Sequence, residues 1–269
     1  MTPDRPDDDY FSTAEPDIQR IRCYLAGGKD CYPVDREIAD RIRRAAPGIA
    51  DSDGVRRAFE RRAVANLAGH GIDQFLVFAA GFDPQVHAIA HGAQPESRVV
   101  YVDDNPLVLA HGRAIYGGGT DNQRIEWLRG NLLAWQDVLT AASCILAPGK
   151  PVAVILNGIT EFIPAKVPVA QHVQNLLAQS PGGSALALCQ TVTTFAPDIA
   201  NEVKRQYSLV GIPYTPRDAG EFEAFFTGLH LVPPGIMPPH RWNPEPELRS
   251  RVDQVDASVS CLAGVGYTP

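Results

Sequence analysis

Short apolar runs alternate with amphipathic stretches from about residue 75 to residue 190. Residues 75–79 form a compact apolar run behind the His70-Gly71 turn signal, and residues 84–90 are compatible with a helix. The β-branched run 99–102 is followed by Asn105-Pro106 and a helix-like stretch to Ala114, which Gly117-Gly118-Gly119 interrupts. Residues 125–128 read as a third strand and 135–142 as a short helix. The run 152–156 is bounded by proline and nearly all apolar, which predicts a strand buried on both faces. A helix over 167–178, a turn at Pro181-Gly182-Gly183 and a strand at 185–188 follow. This alternation predicts an α/β fold with a parallel, doubly wound sheet covered by helices on both sides.

The two ends break the pattern. Residues 18–68 carry no convincing strand, and Val55, Phe59, Ala63 and Leu67 recur every four residues along one helix face. That segment is too short for a large core of its own and is expected to pack as a helical cap. The C-terminal part is Pro-rich from Pro233 to Pro246 and returns to β-like sequence at 259–265, which predicts a closing edge hairpin. The expected organisation is a disordered acidic tail over 1–17 and a single domain over 18–269, made of a cap (18–70) and a Rossmann-like core (71–269).

Composition narrows the partners. Apolar residues make up 45% of the 269, enough for a substantial core, and the net charge is −7. Asp4, Asp7, Asp8 and Asp9 concentrate part of that charge in the tail. An acidic chain without a basic stripe argues against nucleic acid. No run reaches the roughly 18 apolar residues of a membrane span, and no leader pattern opens the chain, so a cytoplasmic location is expected. The five cysteines show no paired spacing; Cys144, Cys189 and Cys261 lie in apolar runs and are expected to be buried thiols.

Ligands of such sheets bind beyond the carboxyl ends of the strands. The first strand of the core runs into Ala79-Ala80-Gly81, and the second into Asp103-Asp104-Asn105. Small residues after the first strand admit a ligand close to the backbone, and an acid about 20 residues on can accept from both ribose hydroxyls. Asp103 is the first choice and Asp104 the fallback; a turn role for Gly81 and an N-cap role for Asp103 are the plain alternatives. The strict G-x-G-x-x-G pattern of a pyrophosphate site is absent, which favours a ligand without phosphate, such as S-adenosylmethionine, over NAD.

A more specific resemblance begins at Arg20 and runs through Tyr24-Leu25, Gly27-Gly28-Lys29-Asp30 and Tyr32. It continues through residues 57–64, 99–103 and 151–156, and Phe162-Ile163-Pro164. In order and spacing, residues 18–265 resemble the actinobacterial S-adenosylmethionine-dependent methyltransferase family once catalogued as DUF574. The resemblance implies a class I methyltransferase fold, a mostly parallel seven-stranded sheet with an N-terminal helical cap, and S-adenosylmethionine as donor. It implies donor contacts from Arg20, Gly27, Gly28, Lys29, Asp30, Gly81, Asp103, Asp104, Asn131 and Leu132. Where the family has Asp-x-Gly-x-Gly, this chain has Val77-Phe78-Ala79-Ala80-Gly81, and Asn131 stands where an aspartate is usual.

Other candidates follow the fourth strand. Asn157 is expected to touch the donor, and Glu161 is a candidate base, with a helix-start carboxylate as its plain alternative. Tyr24 and Tyr32, flanking the glycine pair, are candidates to close over the ligand or to act as base; the glycine pair could equally be a bare turn. His87 and His91, four apart, lack a nearby acid that would make them a metal site. Trp127 and Trp135 read as core, and Trp242 as a possible border of an acceptor pocket.

The expected function is in-line methyl transfer to a small-molecule acceptor, with a homodimer left open as a further partner. The Val77 and Ala79 departures motivate the alternative of a protein on the same fold that binds the donor or its product without methylating, as a sensor or cyclase.

Overall fold

The computed structural model describes residues 12–117, 124–246, 252–255 and 259–269. Asp4 to Asp9, and Gly118 and Gly119, fall outside the described residues.

Three helices come first: α1 (Ile18–Leu25), α2 (Pro33–Ala45) and α3 (Ile49–Gly69). Asp17, assigned to the tail from sequence, is the N-cap of α1 and accepts from Arg20 N at 3.0 Å. Asp35, in the first turn of α2, accepts from Tyr32 N (2.8 Å), from Asp17 N (2.9 Å) and from Arg20 Nε (2.7 Å). This buried carboxylate therefore ties the start of α1 to the start of α2. Gly27 within the turn has φ +85°, and a Cβ on Gly28 would lie 2.4 Å from the Cys23 sulfur. The glycine pair is thus required by backbone handedness and close packing.

The core then alternates β1 (Gln74–Phe78), α4 (Val86–Ala93), β2 (Arg98–Asp103), α5 (Pro106–Ile115), β3 (Ile125–Arg129), α6 (Trp135–Ala142), β4 (Ala153–Asn157), α7 (Val169–Ala178), β5 (Ala185–Thr191) and α8 (Pro197–Ser208). A short α9 (Ala219–Glu223), β6 (His230–Leu231) and β7 (Cys261–Tyr267) complete it. The strand order is β3-β2-β1-β4-β5-β7-β6, parallel except for β7, which is antiparallel to both neighbours. This is the Rossmann-like, seven-stranded sheet that the sequence leads one to expect. Its order reverses between β1 and β4, so the switch-point crevice opens at their carboxyl ends.

β1 and β5 are buried at every position, and apart from Gln74, Gln190 and Thr191 they are apolar. On one face Phe59, Ala63 and Leu67 of α3 pack with Phe75, Val77 and Trp127; on the other Leu76, Val100 and Leu156 pack with α6 and α7. The cap helix α3 is therefore one of the layers over the sheet.

The expected closing pair lies at the sheet edge, with its strands far apart in sequence: β7 pairs with β5 over seven positions and, antiparallel, with the two-residue β6, which is the edge. Between those neighbours β7 is buried at all but its last position. Two sequence expectations are corrected. Cys144 is exposed, because it follows the end of α6 at the surface and its thiol donates to the Ala141 carbonyl. Trp242 lines neither of the cavities at the strand ends. It is fully buried edge-on against Phe59, with ring centroids 5.3 Å apart, in a turn that Arg62 holds through the Trp242 and Pro239 carbonyls.

Candidate active site

Two cavities lie beyond the carboxyl ends of β1, β2 and β4, under the cap. One, of about 320 Å³, is bounded by α1 and α3, by residues 77–86 at the end of β1, and by Asn157. The other, of about 250 Å³, is bounded by Asp103, Asp104, Asn131, Leu132, Gly158 and Phe162. Gln19, Arg22, Phe78 and Ala79 line both, so the two are neighbours across the α1 side chains.

Asp103 ends β2 and is 2% exposed. Its Oδ1 accepts from Asn105 N at 3.0 Å, while Oδ2 accepts from Gln19 Nε2 at 3.2 Å and Gly81 N at 3.4 Å. Burial pushes this carboxyl up to about 7, against the backbone hydrogen bonds that favour its ionised form. A buried carboxylate held only by neutral N–H donors at a cavity wall fits a ligand that brings hydroxyl donors. The N-cap role weighed for the Asp-Asp-Asn run falls to Asn105, whose Oδ1 accepts from Leu107 N and Val108 N.

The β1 turn keeps its handedness despite its sequence. Ala79 has φ +53° and Gly81 φ +67°, so the alanine adopts a left-handed conformation at the position where the pattern it resembles has glycine. The turn still brings Gly81 N to Asp103. Val77 is buried against α3, and Glu60 of α3 lines the same cavity as Val77.

A charged network spans the cap side. Asp53 accepts from Arg56 (3.2 Å) and Arg57 (3.1 Å). Burial would raise Asp53, but the Arg56, Arg22 and Arg57 guanidiniums outweigh it and hold the carboxyl below its usual range. Arg56 also reaches Glu161 at 3.1 Å. Arg22 donates to the Asn157 carbonyl at 3.0 Å, and burial and the neighbouring Arg56 lower its affinity for its proton. Burial raises the Glu60 carboxyl, although Asn157 Nδ2 donates to it at 3.0 Å. Gly158 permits this convergence: a Cβ there would lie 2.9 Å from Arg56 Nη1 and 3.1 Å from Arg22 Nη2.

The structure brings together Gly27, Gly28, Asp30, Gly81 and Asn157 around the first cavity and Asp103, Asp104, Asn131 and Leu132 around the second. Asn131 Oδ1 is engaged as a cap, accepting from Leu133 N and Ala134 N. Lys29, Tyr24, Tyr32 and Arg20 line neither cavity. Arg20 is buried in its ion pair with Asp35 and lies over the Tyr32 ring, and Tyr24 packs under Arg43. Glu161 is fully buried and lines a third, small cavity with Arg22, Arg56, Thr191, Tyr207 and Tyr214. His87 and His91 bond to the Tyr101 hydroxyl and the Ser97 carbonyl.

Sequence reasoning passed over Gln19, Arg22, Asp53, Arg56 and Glu60. Their spacing is regular but does not tell a site from a surface: Asp53, Arg56, Arg57 and Glu60 recur at three- and four-residue spacing on α3, and Gln19 and Arg22 are three apart on α1. Charges at helical spacing beside an apolar stripe read as a solvated face, and here that face is covered.

Residues 5–269 match the model of a family described as S-adenosyl methyltransferase. Among solved structures, a DUF574 family protein from Streptomyces avermitilis is 33% identical, with TM-score 0.89 over 96% of this chain and 99% of its own. A proposed methyltransferase from Thermobifida fusca is 27% identical, with TM-score 0.84 over 98% of this chain and 97% of its own. No curated protein matches the chain.

Proposed function

The chain belongs to the S-adenosyl methyltransferase family, and we propose that it methylates a small molecule by in-line transfer from S-adenosylmethionine. The observation that carries this reading is Asp103: a buried carboxylate at the end of β2, facing a cavity and bonded only to neutral donors. The residues present fit the donor. Asp103 would take the ribose hydroxyls, residues 131–132 and the apolar wall of Ile159 and Phe162 would flank the base, and the β1 turn would pass beneath the sulfonium.

When bound, the donor supplies an activated methyl group and a neutral thioether leaving group. The chain's own part is alignment and exclusion of water, worth on the order of 7 kcal/mol where two reactants are held in line. The cap contributes walls to both cavities, α1 to the two of them and α3 to the first. The size of these cavities, about 320 and 250 Å³, and the acidic net charge support a small acceptor over a macromolecule. Of the three base candidates Glu161 alone lines one of the cavities, the third, whose volume of about 20 Å³ admits no more than a water, so a base role for it would run through that water. Among the described residues no helix is long and apolar enough to cross a membrane.

Incubation with methyl-labelled S-adenosylmethionine and separate low-mass, protein and nucleic-acid fractions tests the reading. Label in a low-mass product is expected; label confined to a macromolecular fraction would overturn it.

A further inference from the structure

The first cavity contains more charge than the second, and its charges are not all spent on one another. Asp53 is satisfied by Arg56 and Arg57. Arg57 reaches Asp83 as well, and Asp83 is 61% exposed at the rim. Asp30 is also exposed. Two groups are left inside. Arg22 has no carboxylate within ion-pairing distance among the described residues; its one hydrogen bond goes to the Asn157 carbonyl, and its buried Nε has no partner. Glu60 accepts from Asn157 Nδ2 through Oε2, and no hydrogen bond among the described residues reaches its Oε1.

The two groups are set by a single residue. Asn157, at the end of β4, fixes Arg22 through its backbone carbonyl (3.0 Å) and Glu60 through its side-chain amide (3.0 Å). Asn157 Oδ1 is itself buried without a partner. Asn157 also donates to the Arg56 carbonyl at 3.3 Å, which anchors it to α3. A cation and an anion are thus held apart at one cavity wall, each with unspent hydrogen-bonding capacity. Burying such groups is costly unless a ligand completes them.

We propose that Arg22 and Glu60 form a clamp for a zwitterionic α-amino-acid group, the guanidinium taking its carboxylate and the carboxylate its ammonium. The group that fits is the amino-acid end of the methyl donor, so the inference rests on the donor reading above. Asn157 Oδ1 provides a second acceptor for the ammonium. The arrangement divides the labour between cavities: Asp103 holds the nucleoside, while α1 and α3 hold the amino-acid end. The cap then reads the ligand directly, because both charged side chains belong to it.

Calorimetry with four ligands tests this: S-adenosylhomocysteine, its carboxyl methyl ester, its N-acetyl derivative, and 5′-methylthioadenosine, which lacks the amino-acid group. Wild type is expected to bind the first more tightly than either blocked form by about tenfold or more, the loss that goes with a charge-assisted hydrogen bond. Arg22→Gln is expected to stop distinguishing the methyl ester, and Glu60→Gln to stop distinguishing the N-acetyl form, while both keep wild-type affinity for 5′-methylthioadenosine. Equal wild-type affinity for the blocked and unblocked forms would overturn the clamp while leaving the donor reading intact. Variants that lose all four ligands in the same proportion would likewise overturn it. Failure of wild type to bind any of the four would instead overturn the donor reading, and the clamp with it.

Discussion

Gln19 on α1 donates its side-chain amide to Oδ2 of Asp103 at 3.2 Å, across 84 residues of sequence. The cap thereby occupies a hydrogen-bonding position on the carboxylate that the ribose hydroxyls of the donor would use. Cap and donor site are one structural unit, which explains why the α1–α2 signature and the β2 acid occur in the same chain.

The Asp103 carboxyl, pushed up to about 7 by burial, makes donor binding depend on pH. Ribose hydroxyls donate to the ionised form, so affinity for S-adenosylhomocysteine should weaken below about pH 7, approaching tenfold per unit. Stability moves the other way. With the folded value raised above the ordinary 3.8, the folded state holds the proton more tightly, so this group favours folding at acid pH and loses that contribution as pH rises towards 7. Asp103→Asn should therefore flatten the binding profile and gain more stability at about pH 8 than at about pH 5. A wild-type affinity that does not change with pH would show that Asp103 titrates elsewhere.

Ala79 is held at φ +53°, where a side chain costs about 1–2 kcal/mol. Ala79→Gly relieves this but adds freedom to the unfolded chain, which returns about half of the gain. Chemical denaturation should show a net stabilisation of roughly 0.5–1 kcal/mol. A net destabilisation would mean that the alanine methyl packs favourably in the turn.

Arg20 and Asp35 are 2% and 0% exposed and 2.7 Å apart. Removing one member of such a pair strands the other, at a cost of about 3–5 kcal/mol. Arg20→Ala should lower the denaturation midpoint by a corresponding amount. Weakened donor binding with unchanged stability would restore Arg20 to the ligand-contact role that its place in the signature implies.

The layout of the core was legible in the sequence because buried parallel strands leave unbroken apolar runs, as at residues 152–156. The position of β7 was not, since insertion between β5 and β6 depends on tertiary pairing that no local pattern encodes. Asp103 could be singled out from its place at a strand end. Arg22 and Glu60 could not, because a charged residue on an amphipathic helix looks the same in sequence whether it faces water or a covered cavity. Ala79 shows the same limit from another side. Its residue type argues against a left-handed turn, and the surrounding structure imposes one.

The claim on which the rest depends is that Asp103 holds the nucleoside of the methyl donor. Titration calorimetry of S-adenosylhomocysteine into wild type and Asp103→Ala, with folding of the variant checked by its melt, tests it most directly. The account predicts clear binding by wild type and a loss of about 100-fold or more in the variant, since two hydroxyl bonds to an ionised acceptor disappear together. Wild-type affinity in the folded variant would contradict it.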